Sequence, residues 1–160
     1  MKKRLAALTL AERGPSSFDT WNAPPHVDKR LGEFEVALLT DVDTAPDEAM
    51  LRLADELIEI VTTRANVVVD LIYAGYVSLS KADPDWVTGC GVPLGLRKSE
   101  ILGQLLPENC LTVTRFSAFE PPYLAKIHFV PRWDEEHAFE LKVEQGRIVS
   151  VNGSPLPAPK

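Results

Sequence analysis

From Met50 to Ile72 the apolar side chains Met50, Ala54, Leu57, Val61, Ala65, Val68 and Ile72 recur at spacings of four and three. On an α-helix that spacing stacks them along one face. Leu53, Ile60, Val67 and Leu71 widen the stripe on the adjacent row, so the helix is expected to be buried on a broad front. Its start carries Thr44 three residues before Asp47, like a capping box, with Pro46 in the first turn. Asp47 and Glu48 follow, where the helix dipole favours anions. Unbroken, the segment would run ~45 Å at a rise of 1.5 Å per residue, long for a small domain. Thr62, Thr63 and Asn66 weaken helix within "TTRAN". The expectation over residues 46–78 is one bent helix or two in tandem.

On either side of this segment the apolar period falls to two, the strand value. Leu8 and Leu10 alternate in a first short strand, and "EFEVALLTDV" places Phe34, Val36 and Leu38 on one face. Between them "RGPSSFDTWNAPPHVDKRLG" is rich in turn formers and reads as a connection, with Trp21, Pro24, Pro25 and His26 as a covering loop or an aromatic-proline contact surface. "KADPDWVTGCGVPLG" reads as a loop, and "LRKSEILGQLLPE" as a short amphipathic helix stopped by Pro107. "CLTVTRF", "YLAKIHFV", "AFELKVE" and "RIVSV" then alternate as strands. A two-residue turn at Gln145-Gly146 would set Glu144 opposite Arg147 and Val143 opposite Ile148. The fold class expected is α+β: an antiparallel sheet with a long or broken helix and a short helix on one face, ending in a C-terminal β-meander. Residues 1–154 read as a single domain and residues 155–160 as a Pro-rich tail that frays.

A chain of 160 residues is long enough to bury roughly 70% of its unfolded surface without disulfides or metal. Its net charge of −6 argues against nonspecific nucleic-acid binding, which needs a positive field, and favours a basic partner. Cys90 and Cys110 form no C-x-x-C pair and read as reduced thiols. "MKKRLAALTLAERG" imitates a secretory leader, but its apolar part stops at Ala11 before Glu12-Arg13. No stretch approaches the ~20 apolar residues of a membrane span. The expectation is a cytoplasmic protein with no membrane partner, no cofactor, and a monomeric or homodimeric state. Self-association would use Trp21, Trp86 or an open sheet edge.

The chemistry-bearing residues concentrate in Trp133-Asp134-Glu135-Glu136-His137. Were this stretch extended, Asp134 and Glu136 would share one side ~7 Å apart, near the separation of an acid and a base flanking a substrate. Asp134, Glu136 and His137 also suit a divalent metal, with His128 on the preceding strand as a further ligand and His26 unplaced. The alternative is a structural corner. Pro131 ends the incoming strand, Asp134 folds onto backbone N–H groups, Arg132 pairs with Glu135 or Glu136, and Trp133 covers the sheet edge. The charged helix face bearing Arg52, Asp55, Glu56 and Glu59 reads as solvated, and Tyr73 and Tyr76 as half-buried or interfacial.

The order of these pieces resembles a group of small uncharacterised bacterial domains marked by a late W-D-x-E-H-G motif followed by strand, turn and strand. In this chain the motif is Trp133 to His137, with Ala138 at the usual Gly. The resemblance implies an immunity-protein-like, stoichiometric binder of another protein, a basic partner or a toxin. Two functions are thus expected in competition. One is a non-catalytic protein-binding module of immunity or adaptor type. The other is a metal-assisted or acid–base hydrolase built on Asp134, Glu136 and His137.

Overall fold

The computed structural model describes residues 8–12 and 18–158; the basic start of the leader-like segment and the last two residues of the tail lie outside them. Three strands open the fold: β1 (Thr9–Glu12), β2 (Phe18–Asp28) and β3 (Gly32–Asp41). Three helices follow, α1 (Glu48–Thr63), α2 (Ala65–Ala82) and α3 (Pro84–Gly89), then a 3-10 helix, Lys98–Gln104. Five strands complete the chain: β4 (Asn109–Arg115), β5 (Tyr123–Phe129), β6 (Phe139–Glu144), β7 (Arg147–Val151) and β8 (Ser154–Pro155). They form one eight-stranded sheet in chain order. Neighbours are antiparallel except β3 and β4, which run parallel. A parallel pair needs a long crossover, and every helix lies in that connection. The α+β class and the closing meander stand as expected.

The alternation of the strands sorts one sheet face into the core. Phe34, Val36 and Leu38 of β3, Leu111 and Val113 of β4, Ile127 and Phe129 of β5, and Leu141 and Val143 of β6 are buried in one cluster with Met50, Leu57, Val61 and Ile72 of the helices. Each such side chain contributes about 1.5–3 kcal/mol by leaving water. No helix of the described residues is long and apolar enough to cross a membrane.

The helical stripe divides at Arg64, which ends α1 by donating its N–H to the Ile60 carbonyl at 2.8 Å. Two helices in tandem are therefore the outcome. Before the break Met50, Ala54, Leu57, Ile60 and Val61 are buried and Leu53 partly so; after it Val68 and Ile72 stay buried, Val69 and Tyr76 join them, and Val67 is left 47% exposed. The cap also differs from expectation. Asp47, not Thr44, is the N-cap: its Oδ1 accepts from the Met50 N–H at 2.9 Å, and its Oδ2 accepts from the Tyr123 hydroxyl at 2.6 Å with Arg115 Nε 3.4 Å away. The Thr44 carbonyl instead accepts the Thr40 hydroxyl.

Two stretches expected as loops are regular structure. Phe18–Asp28 is the eleven-residue strand β2. Pro24 and Pro25 fall in a register irregularity between Ala23 and His26, where a missing N–H breaks no ladder bond. Pro84–Gly89 is the helix α3, started by Asp83, whose carboxylate accepts from the Trp86 N–H, and by Pro84 in its first turn. The β6–β7 hairpin has the expected register, Glu144 opposite Arg147 and Val143 opposite Ile148. Gln145 and Gly146 both take positive φ, 50° and 68°, as a two-residue I′ turn demands. Beyond it, β8 pairs with β7 and the Leu156 N–H donates to the Val149 carbonyl at 2.8 Å.

Partial burial pushes the Asp47 carboxyl up, but the Tyr123 hydroxyl, the Met50 and Ala49 N–H groups and the Arg115 charge together hold it below the ordinary value. A depressed folded-state value means that its contribution is complete above the unfolded pKa and is lost as pH falls through the folded one. Asp47→Ala is expected to destabilise the fold by about 1–2 kcal/mol at neutral pH. Urea titration should show that loss shrinking in acid.

Candidate functional site

The chain leaves β5 through a short bridge. Pro131 pairs with Leu105, the Leu106 N–H donates to the Val130 carbonyl at 2.8 Å, and the Arg132 N–H donates to the Gln104 carbonyl at 2.9 Å. The Asp134 N–H then closes a turn on the Pro131 carbonyl at 3.0 Å. Trp133 to His137 is thus a succession of turns and not an extended segment. The alternation that would have paired Asp134 with Glu136 does not apply. Residues three apart meet instead: His137 Nδ1 lies 2.9 Å from Asp134 Oδ1.

Trp133 is the anchor of the corner, only 3% exposed. Its ring packs 5.5 Å from that of Tyr76 on α2, so it enters the core rather than capping a sheet edge. Its carbonyl accepts the indole N–H of Trp86 on α3 at 2.7 Å, with the Cys90 thiol 3.7 Å away. Tyr76 in turn donates its hydroxyl proton to the Pro93 carbonyl at 2.6 Å and accepts from the Leu96 N–H at 3.2 Å. Sequence reading singled out Trp86, Trp133 and Tyr76 separately. No local signal joined them, because they lie far apart in the chain and meet only through the helix crossover.

Between this corner and α2 opens a cleft of about 610 Å³. Trp133 and Phe139 form its apolar floor with Leu79 and Gly75 of α2, and Asp134, Glu136 and His137 form its rim. Glu135 is exposed to solvent. The far wall is tied down by Asn152, whose side-chain oxygen accepts from the Glu140 N–H at 2.8 Å. Gly75 permits the close fit: a Cβ there would lie 2.7 Å from the Phe139 ring. The usual Gly of the resembling motif is Ala138 here. It is not among the positive-φ residues Asp43, Gln145 and Asn152, so no left-handed backbone is required at that position.

The three histidines go to three places. His137 stands at the cleft, its pKa raised by the hydrogen bond and charge of Asp134 and further by Glu136. His128 lies on the sheet face away from the helices, with Nε2 2.6 Å from the Thr112 hydroxyl and Nδ1 3.6 Å from Glu140 Oε1. Burial lowers its pKa, and the Glu140 charge only partly offsets that. His26 on β2 meets the Thr62 hydroxyl at 3.3 Å. The proposed fourth metal ligand is thus turned to another surface. Among the described residues no three His, Cys, Asp or Glu side chains converge to hold a metal ion. Asp134 and His137 are brought together, Glu136 joins them at the cleft, and His128 does not.

What the arrangement offers chemically is a carboxylate-oriented imidazole and a second carboxylate over an aromatic floor. It can hold a cationic group, with the stem of a Lys or Arg laid on the floor, or exchange a proton with a bound group. Among protein-family models, curated proteins and solved structures, none matches this chain.

Two outcomes are expected. In an NMR pH titration His137 should titrate above the ordinary histidine value and His128 below it, and Asp134→Asn should return His137 toward that value. The two act oppositely on stability. The depressed His128 withdraws support as pH falls below its unfolded value, whereas the pairing of His137 with Asp134 is lost as pH rises through its folded value. Gly75→Ala gains about 1 kcal/mol of helix propensity but meets the packed Phe139 ring at a cost of about 1–3 kcal/mol. Thermal unfolding should record a net loss.

Proposed function

We propose that the chain is a non-catalytic protein-binding module of the bacterial immunity or adaptor type, acting in the cytoplasm on a basic protein. The single observation that carries this reading is the cleft at the Trp133 corner, an apolar floor under a rim of Asp134 and Glu136 in a chain of net charge −6. Charge of that sign speeds encounter with a basic surface and selects against acidic partners. The aromatic floor supplies desolvated contact area of the kind on which interface energy concentrates. The motif resemblance supports the same class of partner. The test is to mix the purified chain at low salt with the separately purified products of the genes flanking its own. A one-to-one complex is expected on size-exclusion chromatography, its affinity falling as salt rises and falling about tenfold in the double variant Asp134→Asn, Glu136→Gln. If no flanking product binds, or if binding ignores both salt and that variant, the proposal fails.

One observation favours a second reading, an acid–base hydrolase. The Asp134 carboxylate holds the His137 imidazole at Nδ1, which leaves Nε2 to work as a general base in the cleft. Hydrolysis of simple esters or phosphoesters that is lost in His137→Gln would select this reading over the first.

A further inference from the structure

On the sheet face turned away from the helices, the register sets Lys126 of β5 opposite Lys142 of β6, and Lys142 opposite Ser150 of β7. Directly opposed residues share a face, with Cβ atoms ~4.5–5.5 Å apart. Two ammonium groups and a hydroxyl therefore stand in one row. Like charges placed opposite one another destabilise a sheet, and here each lysine is steadied by a carboxylate. Glu140 Oε2 lies 2.6 Å from Lys126 Nζ, and Glu144 Oε1 lies 2.6 Å from Lys142 Nζ. Arg147 stands opposite Glu144. The cleft itself is lined by two cations and one carboxylate, Lys126, Lys142 and Glu140, in a chain whose total charge is −6.

Ser150 is only 9% exposed. It lines a cleft of about 500 Å³ together with Lys126, Lys142 and Glu140, and Leu124, Val149 and Pro155 give that cleft an apolar wall. Each ammonium carries three N–H donors, and the glutamates account for one apiece. We propose that this cleft binds a small oxyanion, a carboxylate or phosphate group, clasped between Lys126 and Lys142 and accepting a hydrogen bond from the Ser150 hydroxyl. An oxyanion placed there turns the repulsion of the lysine pair into two charge-assisted hydrogen bonds and takes a third from the serine hydroxyl. Because the ligands sit on three neighbouring strands, the donors are held without loop motion. The site lies on the opposite sheet face from the core, and Glu140 borders both it and the cleft at the Trp133 corner.

The experiment is an NMR titration of the whole chain with inorganic phosphate in one arm and butyrate in the other, which separates the two sources of the group. Saturable amide shifts at Lys126, Lys142, Val149 and Ser150 are expected in at least one arm. Lys142→Met and Ser150→Ala should each weaken binding, the former about tenfold or more. Ser150→Ala removes a single oxygen and keeps the test open should Lys142→Met fail to fold. Glu144→Gln removes a competing carboxylate and should tighten binding, a gain that a merely structural role for these residues would not produce. The proposal is overturned if neither anion gives saturable shifts at tens of millimolar, if Ser150→Ala binds like the parent chain, or if Glu144→Gln weakens binding.

Discussion

The packing of α1 and α2 against one face of the sheet is the interaction on which the rest depends. It requires that β3 and β4 lie side by side and parallel, because only then does the helical crossover return over the strands it must cover. Phe34 and Phe129 meet edge-on beneath the helices at 5.6 Å, and Met50, Leu57 and Ile72 close the layer from above. With one face consumed in this way, every second residue of β4 to β6 is left on the other. That is why Lys126, His128, Glu140 and Lys142 collect there.

The Trp133 corner follows from the same constraint. After β5 the chain has to clear the end of the helical layer before it can return as β6. It does so by sending Trp133 down onto Tyr76 and by giving the Trp133 carbonyl to the Trp86 indole on α3. The polar residues after Trp133 are thereby lifted to the rim, where Asp134 and His137 pair across a turn. One motif therefore has two roles: its tryptophan and backbone fasten the bend, and its titratable groups border a cleft.

Much of the architecture was legible because it rests on periodicity. The inward faces of β3, β5 and β6, the turn at Gln145-Gly146 and the break near Arg64 all appear where residue spacing and local propensity place them. The failures share one cause. β2 and α3 are dense in Pro, Asp and Gly, which report local freedom, yet Asp83 caps a helix and Pro24-Pro25 sits in a register irregularity where neighbouring strands tolerate it. Within the site, Asp134, Glu136 and His137 border one cleft. The shared side of Asp134 and Glu136 belonged to an extended backbone, and the structure makes turns there. Gly75 and Ser150 could not have been chosen at all, since a glycine in a helix and a serine in a strand acquire meaning only from Phe139 and from the lysine row.

What the amino-acid order determined by itself is the local and periodic part: which strongly periodic segments are helical or extended, which side of each is apolar, the mixed α+β class and the acidic total charge. These depend on neighbours a few residues apart, whose spacing fixes the apolar side of each element before distant segments meet. Tertiary structure alone decided which polar groups meet. It placed His128 with Thr112 and Glu140 and not with His137, put Trp86 under the Trp133 carbonyl, and set two lysines and a serine in one row. Such meetings depend on strand order and register, which arise when distant apolar faces are buried together.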